Sequence, residues 1–193
     1  MRYDAEHKQQ TRARMIEVAS RVLRRDGIAA SGVATLMEEA ALTNGAFYAH
    51  FASKEALVAE AVVFALGETT AAFEEKIRVA PAGTALDVVI SHYLDPRHVV
   101  RPEYGCAVAA LAPELARRPE ATRLAVDAAI DRLVETIASA LPEACSNRKE
   151  TAGAVFACMV GTIQLARNCS PALTPSVLEN GAAMVRNMCR STA

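Results

Sequence analysis

GIAASGVATLMEEAALTNGAFYAHFASK, residues Gly27 to Lys54, is the stretch that decides how the rest of the chain is read. Val33, Leu36, Met37 and Ala40 fall at i, i+3, i+4 and i+7, one face of an amphipathic helix, and predict a short helix over Ser31 to Ala40. A second pattern starts at once. Thr43 suits an N-cap, and Phe47 and Phe51 lie four residues apart on one face. Two short helices this close, the second opening on the small or polar Asn44, Gly45 and Ala46, have the form of a helix-turn-helix. Phe47 and Phe51 are expected to pack on Leu36 and Met37, leaving Thr43, Asn44, Ala46, Tyr48 and His50 for an outside partner. Hydroxyl, amide and imidazole groups bond phosphates or base edges, and an alanine methyl touches a thymine methyl. Lys54 opens the next helix, where unpaired N–H groups and the dipole favour phosphate. These residue types suit duplex DNA, although a plain turn with solvated polar side chains has the same spacing.

The composition points to helices throughout. Of 193 residues, 52% are hydrophobic and only 5% aromatic, with no Trp, so the chain is alanine-rich and lacks alternating β-branched runs. We read the fold as all-α. A net charge of −1 argues against non-specific coating of nucleic acid, which needs many uncompensated cations. A local excess is still present: seven cations stand against three anions from Met1 to Arg25. The five cysteines form no C-x-x-C pair and do not read as a disulfide framework, so a reducing cytoplasm is expected. MRYDAEHKQQTR lacks the apolar core of a signal peptide. The longest uncharged run, Thr151 to Ala166, has 16 residues including Thr, Gln and two Gly, and reads as a buried helix rather than a membrane span.

Helix periodicity and punctuation extend this reading. The first helix is expected from Lys8 to Asp26, burying Met15, Ala19, Val22 and Leu23, with its arginines on the opposite face and Gly27 as the stop. Ser53 caps a long fourth helix using Leu57, Ala61, Phe64, Ala65, Phe73 and Ile77, broken near Val79 by Pro81 and Gly83. Further helices are expected over Thr84–Tyr93, Tyr104–Arg117 with a kink at Pro113, and Pro119–Ala140 with Leu124 inside. A loop holding Asp95, Pro96 and Pro102 separates the first two of these. The last helices are Ser146–Asn168 and Thr174–Arg190. Gly153, Ala157 and Gly161 recur every four residues, and Val177, Leu178, Gly181, Ala182, Val185 and Met188 follow on the last helix. The pair reads as half of a two-fold four-helix bundle, or as an intramolecular core.

The run TRARMIEVASRVLRRDGIAASGVATLMEEAALTNGAFYAHFASKEALVAEAV, Thr11 to Val62, resembles the N-terminal domain of TetR-family transcriptional regulators without a gap. YGCAVAALAPELARRP, Tyr104 to Pro119, is similar to a segment of one branch of that family. The resemblance implies a three-helix DNA-binding domain, residues 1-52, joined by a long helix to a helical ligand-binding and dimerisation domain, residues 53-193. It also implies a cytoplasmic homodimer on a double-stranded operator, acting as a repressor and released by a small-molecule effector. Carried over by position, the phosphate contacts fall on Thr43, Tyr48, His50 and Lys54, and the base-reading positions on Asn44, Gly45 and Ala46. Ala41 stands where a glycine often makes the turn, and Ala34, Asn44 and Ala46 where basic or hydroxyl residues are common.

An effector site is expected to be largely apolar. Its candidates are Phe64, Phe73, Tyr93, Tyr104, Phe156, Met159 and Ile163, with Gln164 or Arg167 as polar contacts. Cys106 joins them with two readings. It lies where a helix start favours a thiolate, and some members of the similar branch are inactivated by cysteine modification; an apolar setting would instead make it a small packing residue. His92 and His98 flank a helix end with Asp95 between them, but the spacing matches no common metal site, and they read as surface histidines. There is no phosphate loop, G-x-S-x-G elbow or H-E-x-x-H, so neither an enzyme, a metal nor a cofactor is expected. The alternative function is a helical small-molecule binding or thiol-sensing protein without useful DNA affinity.

Overall fold

The computed structural model describes residues 2–190, with side chains from residue 6 to 189, and no strand occurs among them. Ten α-helices follow one another: α1 (Arg2–Asp26), α2 (Val33–Glu39), α3 (Asn44–Tyr48), α4 (Lys54–Val79), α5 (Ala85–Tyr93), α6 (Pro96–Val100), α7 (Ala107–Leu115), α8 (Glu120–Ala140), α9 (Arg148–Asn168) and α10 (Thr174–Arg190). A 3₁₀ turn, Pro102–Tyr104, lies between α6 and α7.

Local chemistry sets most of these boundaries. Gly27 stops α1 with φ +88°, its N–H bonded to Leu23 O at 2.9 Å, a left-handed conformation that glycine adopts without strain. Thr43 and Ser53 cap α3 and α4, each accepting the N–H three residues on, at 3.3 and 3.1 Å. Asp95 caps α6 at the Arg97 N–H, and Pro96 takes the first helical position, where no N–H is needed. Ala41 has φ 52°, the one non-glycine residue with positive φ among those described, at a cost of about 1 kcal/mol. A glycine at that position would remove that strain.

The helices share one continuous core. Met15, Ala19, Val22 and Leu23 of α1 meet Leu36, Met37, Phe47 and Phe51, with the two Phe rings 5.9 Å apart and stacked. Burying a side chain such as Phe47 stabilises the fold by about 2–3 kcal/mol. α4 packs along α1 on one side and α8 on the other, while α9 packs against α8 and α10. By length and composition α4 is apolar enough to cross a membrane, yet Leu57, Val58, Ala61, Val62, Ala65 and Leu66 are spent on these neighbours. Gly181 lets α10 come close to α9, since a Cβ there would meet the Thr162 side chain.

Several expectations need correction. α1 begins at Arg2, earlier than Lys8. The segment from Asp95 to Pro102 is a short helix and the start of a 3₁₀ turn rather than a loop, because Asp95 and Pro96 supply a complete helix start. α7 starts at Ala107 and not at Tyr104: Gly105 is extended, its Cα against the His98 ring, so the helix cannot begin before it. Leu124 of α8 and Phe64 of α4 lie exposed; Thr122, Val126, Ala129, Leu133 and Ile137 form the inner face of α8. On α10, Leu178 and Val185 are buried within this chain. The open, uncharged face comes instead from Ala154, Ala157, Gly161 and Leu165 of α9 and from Ala183 and Met184 of α10. A Cβ at Gly153 or Gly161 would meet nothing within 4 Å.

Candidate nucleic-acid interface and ligand cavity

The short α3 stands on its two phenylalanines. Phe47 is fully buried and Phe51 nearly so, so the rest of the helix turns outward. Thr43, Asn44, Gly45 and Tyr48 are exposed, and the Tyr48 ring, 72% exposed, is held edge-on to Phe47 at 5.1 Å. Thr43 Oγ1 accepts the Ala46 N–H, which leaves its own O–H free to donate outward. Ala46 is half-buried and packs on the core, so only part of its methyl is offered. His50 is half-buried, and its Nδ1 has no hydrogen-bond partner. Burial first, then the nearby Lys8, Arg12 and His7, lower its pKa. Lys8, Arg12 and His7 therefore come from α1 to the flank of α3.

The arginines of α1 lie on the face opposite the core, as expected, except Arg24, and Arg12, Arg21 and Arg25 there are partly exposed and paired. Arg12 pairs with Glu60 and stacks over Phe51, its guanidinium carbon 4.7 Å from the ring centre. Arg21 pairs with Glu17, and Arg25 with Asp26 and Glu39. Arg24 is buried. Its Nε donates to Ser20 O at 2.9 Å and its Nη1 to Gly105 O at 2.8 Å, while Nη2 reaches Ser20 Oγ and Glu68. Lys54 gives its ammonium to Ile28 O at 2.7 Å, inside the turn after α1.

That turn is gripped from the other side as well. Glu114 of α7 accepts the Ile28 N–H at 3.0 Å on one oxygen and the Ala29 N–H at 2.8 Å on the other. Glu55, at the start of α4, accepts from Thr122 of α8 at 2.7 Å and from Arg118. The segment from Gly105 to Glu114 is thus fastened at both ends, through Gly105 to Arg24 of α1 and through Glu114 to the turn after α1. None of Arg24, Glu68 or Glu114 was picked out from the sequence. The available signals were Glu114 closing the apolar run AVAALAPEL and Arg24 lying four residues after the buried Ser20.

A cavity of about 390 Å³ opens beside this junction, between α1, α4, α5, α6 and the 3₁₀ turn. Phe73, Tyr93, Tyr104 and Cys106 of the expected set line it, with Arg24, Glu68, His92, Arg97, His98 and Arg101. Phe64 faces elsewhere, and Phe156, Met159 and Ile163 are buried core. Gln164 donates to Ala109 O, and Arg167 to Ala109 O and His98 O, all within 2.9 Å, so both brace the backbone behind the cavity. The lining is more polar than the expected apolar site because Arg21, Arg24, Arg97 and Arg101 are brought to it from separate segments of the chain. Cys106 is buried, and burial pushes its thiol pKa up. The Tyr93 hydroxyl faces that sulfur, but its oxygen completes no hydrogen bond of full geometry.

His98 is an interior residue. Its Nδ1 donates to Tyr93 O at 2.8 Å and its Nε2 accepts the Cys106 N–H at 3.0 Å, which fixes a neutral ring. Burial lowers its pKa to about 4, with Arg167, His92 and Arg24 adding to the fall against the opposing Tyr93 carbonyl. The unfolded chain takes this proton near pH 6.5 and the folded chain only near 4, so stability is lost as the pH falls through that window. The full loss corresponds to about 3 kcal/mol. An NMR titration is expected to find the His98 ring still neutral at pH 5; a His98 midpoint near 6.5 would contradict it. Among the described residues no group of three or more His, Cys, Asp or Glu is arranged to hold a metal.

Comparison with known proteins agrees with this architecture. Residues 15–61 match the family described as bacterial regulatory proteins, tetR family. The HTH-type transcriptional regulator TtgR of Pseudomonas putida is 38% identical over 87 residues, which is 43% of this chain and 41% of that protein. This chain therefore spans about two fifths of the length of that relative. The crystal structure of Escherichia coli NemR in its reduced form superposes with a TM-score of 0.76 at 20% identity, over 92% of this chain and 96% of that one. A TetR-family regulator from Cytophaga hutchinsonii gives a TM-score of 0.75 at 23% identity, over 94% and 96%. At these identities the likeness is one of fold. Taken with the match across residues 15–61 and the geometry of α3, it shows an N-terminal domain of the tetR regulatory family on a fold shared with solved TetR-family regulators.

Proposed function

We propose that the protein is a cytoplasmic repressor that binds a pseudo-palindromic operator as a homodimer and is released when a small molecule enters the cavity beside α4. The observation that carries this reading is the outward face of α3, where Thr43, Asn44, Gly45 and Tyr48 stand exposed together on a buried phenylalanine base. Residues 1-52 are the reading unit, and residues 53-193 the ligand and dimer unit. One short helix contacts too few base pairs to be selective, so two copies read half-sites about one helical turn (~34 Å) apart. The uncharged open face of α9 and α10 supplies the pairing surface. Release follows from the ties at α7: a ligand that displaces the 3₁₀ turn or α4 pulls on Arg24 and Glu114 and re-aims α1, changing the separation of the paired reading helices.

One observation favours the alternative, a helical ligand binder without DNA affinity: Arg12, Arg21, Arg24 and Arg25 are each already paired with a carboxylate. Titrating DNA from the gene's own upstream region against the protein and three variants separates the two. Tyr48→Phe and Lys54→Ala are expected to weaken binding to every sequence by about tenfold each, and Asn44→Ala to change preference at one base pair. Equal binding by all four proteins would contradict the assignment of α3 as the reading helix.

A further inference from the structure

The guanidinium donors on the cavity wall point to the chemistry of its occupant. Four arginines line it, each paired with a carboxylate: Arg21 with Glu17, Arg24 with Glu68, Arg97 with Asp95 and Arg101 with Glu103. Burial lowers the pKa of both histidines on the wall. The existing pairs do not exhaust the donors. Arg97 uses Nε and Nη2 on Asp95, and Arg101 uses Nε on Glu103 while its guanidinium lies 4.4 Å from the centre of the Tyr104 ring. Each guanidinium carries five N–H bonds, so Arg97 and Arg101 keep unspent donors at the mouth of the cavity. Deeper in, the wall changes character. Phe73 and Tyr93 are buried, their ring centres 6.0 Å apart, and the Tyr93 hydroxyl has no hydrogen-bond partner of full geometry.

We infer that the effector is an organic anion, an aromatic or apolar body bearing a carboxylate, with the body against Phe73 and Tyr93 and the carboxylate at Arg97 and Arg101. A site of 390 Å³ lies within the range that small ligands fill. The carboxylate suits guanidinium forks, which engage it bidentately, better than a neutral amide does. An acceptor atom at the buried end completes the Tyr93 hydroxyl. The inference rests on the ligand-released reading above, and adds the class of ligand to it.

The test is calorimetric titration of the full-length protein with 2-naphthoate, phenylacetate and 4-hydroxybenzoate, each paired with its primary amide. At least one acid is expected to bind about tenfold more tightly than its amide at low salt, with the preference shrinking as salt rises. Arg97→Gln and Arg101→Gln lie at the exposed mouth and leave the core intact; together they are expected to abolish that preference. Tyr93→Phe is expected to weaken the acid with a polar para substituent more than the other two. If the amides bind as well as the acids, if the preference survives both arginine substitutions, or if no acid saturates at about 1 mM, the inference is overturned. DNA binding of the same preparation is measured alongside. Loss of DNA by an amide would uphold the ligand-released reading while removing the anion, whereas acid binding by a protein that never binds DNA would do the reverse.

Discussion

Replacing Arg24 with Met is expected to lower stability by about 2–3 kcal/mol, seen as a fall in midpoint temperature of about 6–10 °C. The side chain is only 3% exposed, and burial is the main influence lowering its pKa, so its charge is tolerated only because nearly every donor is used. Methionine keeps much of the volume but leaves Gly105 O, at the foot of α7, without the guanidinium. Glu68 is half-exposed and can rehydrate, which limits the loss from the ion pair itself. Arg25 is the control: it binds two carboxylates, but in solvent, and Arg25→Met is expected to stay within about 0.5 kcal/mol. If Arg24→Met cost no more than Arg25→Met, the buried guanidinium would not be what ties α1 to Gly105 and α4.

Gly161→Arg is expected to convert a homodimer into a monomer at micromolar concentration and to weaken operator binding by about a hundredfold or more. Gly161 is exposed on α9 with open space above it, between Ala157 and Leu165, so the substitution strains nothing within one chain. Its cost falls on association, where a guanidinium would be buried against an uncharged face with no partner. Analytical ultracentrifugation reads the outcome, and an unchanged melting curve below the dissociation range separates it from misfolding. A dimer that survives the substitution would move the pairing surface elsewhere.

Features that depend on neighbours in sequence were legible before any coordinates. Thr43 and Ser53 act as caps, Gly27 stops α1, and Phe47 and Phe51 face inward, because each follows from spacing of three or four residues. The positive φ of Ala41 fits the turn position at which the resemblance places a glycine. What was not legible depends on residues far apart. Arg24 reads as a surface arginine until Gly105 and Glu68 are brought to it, 81 and 44 residues away. His98 reads as a surface histidine until the Tyr93 carbonyl and the Cys106 N–H bracket its ring. Periodicity told that Phe156, Met159 and Ile163 turn inward but not whether they meet a cavity or one another's neighbours, and they fill the core. The arginine-lined cavity was missed for the same reason, since its wall is assembled from five separate segments.

The central claim is that α3 reads DNA from a two-fold dimer, and selection from a random duplex library tests it most directly. The account predicts enrichment of a single inverted repeat whose half-site centres lie about 10 base pairs, or a multiple of that, apart. It also predicts that Asn44→Ala shifts the selected base at one position in each half-site. Recovery of no enriched sequence, or of one lacking two-fold symmetry, would contradict it.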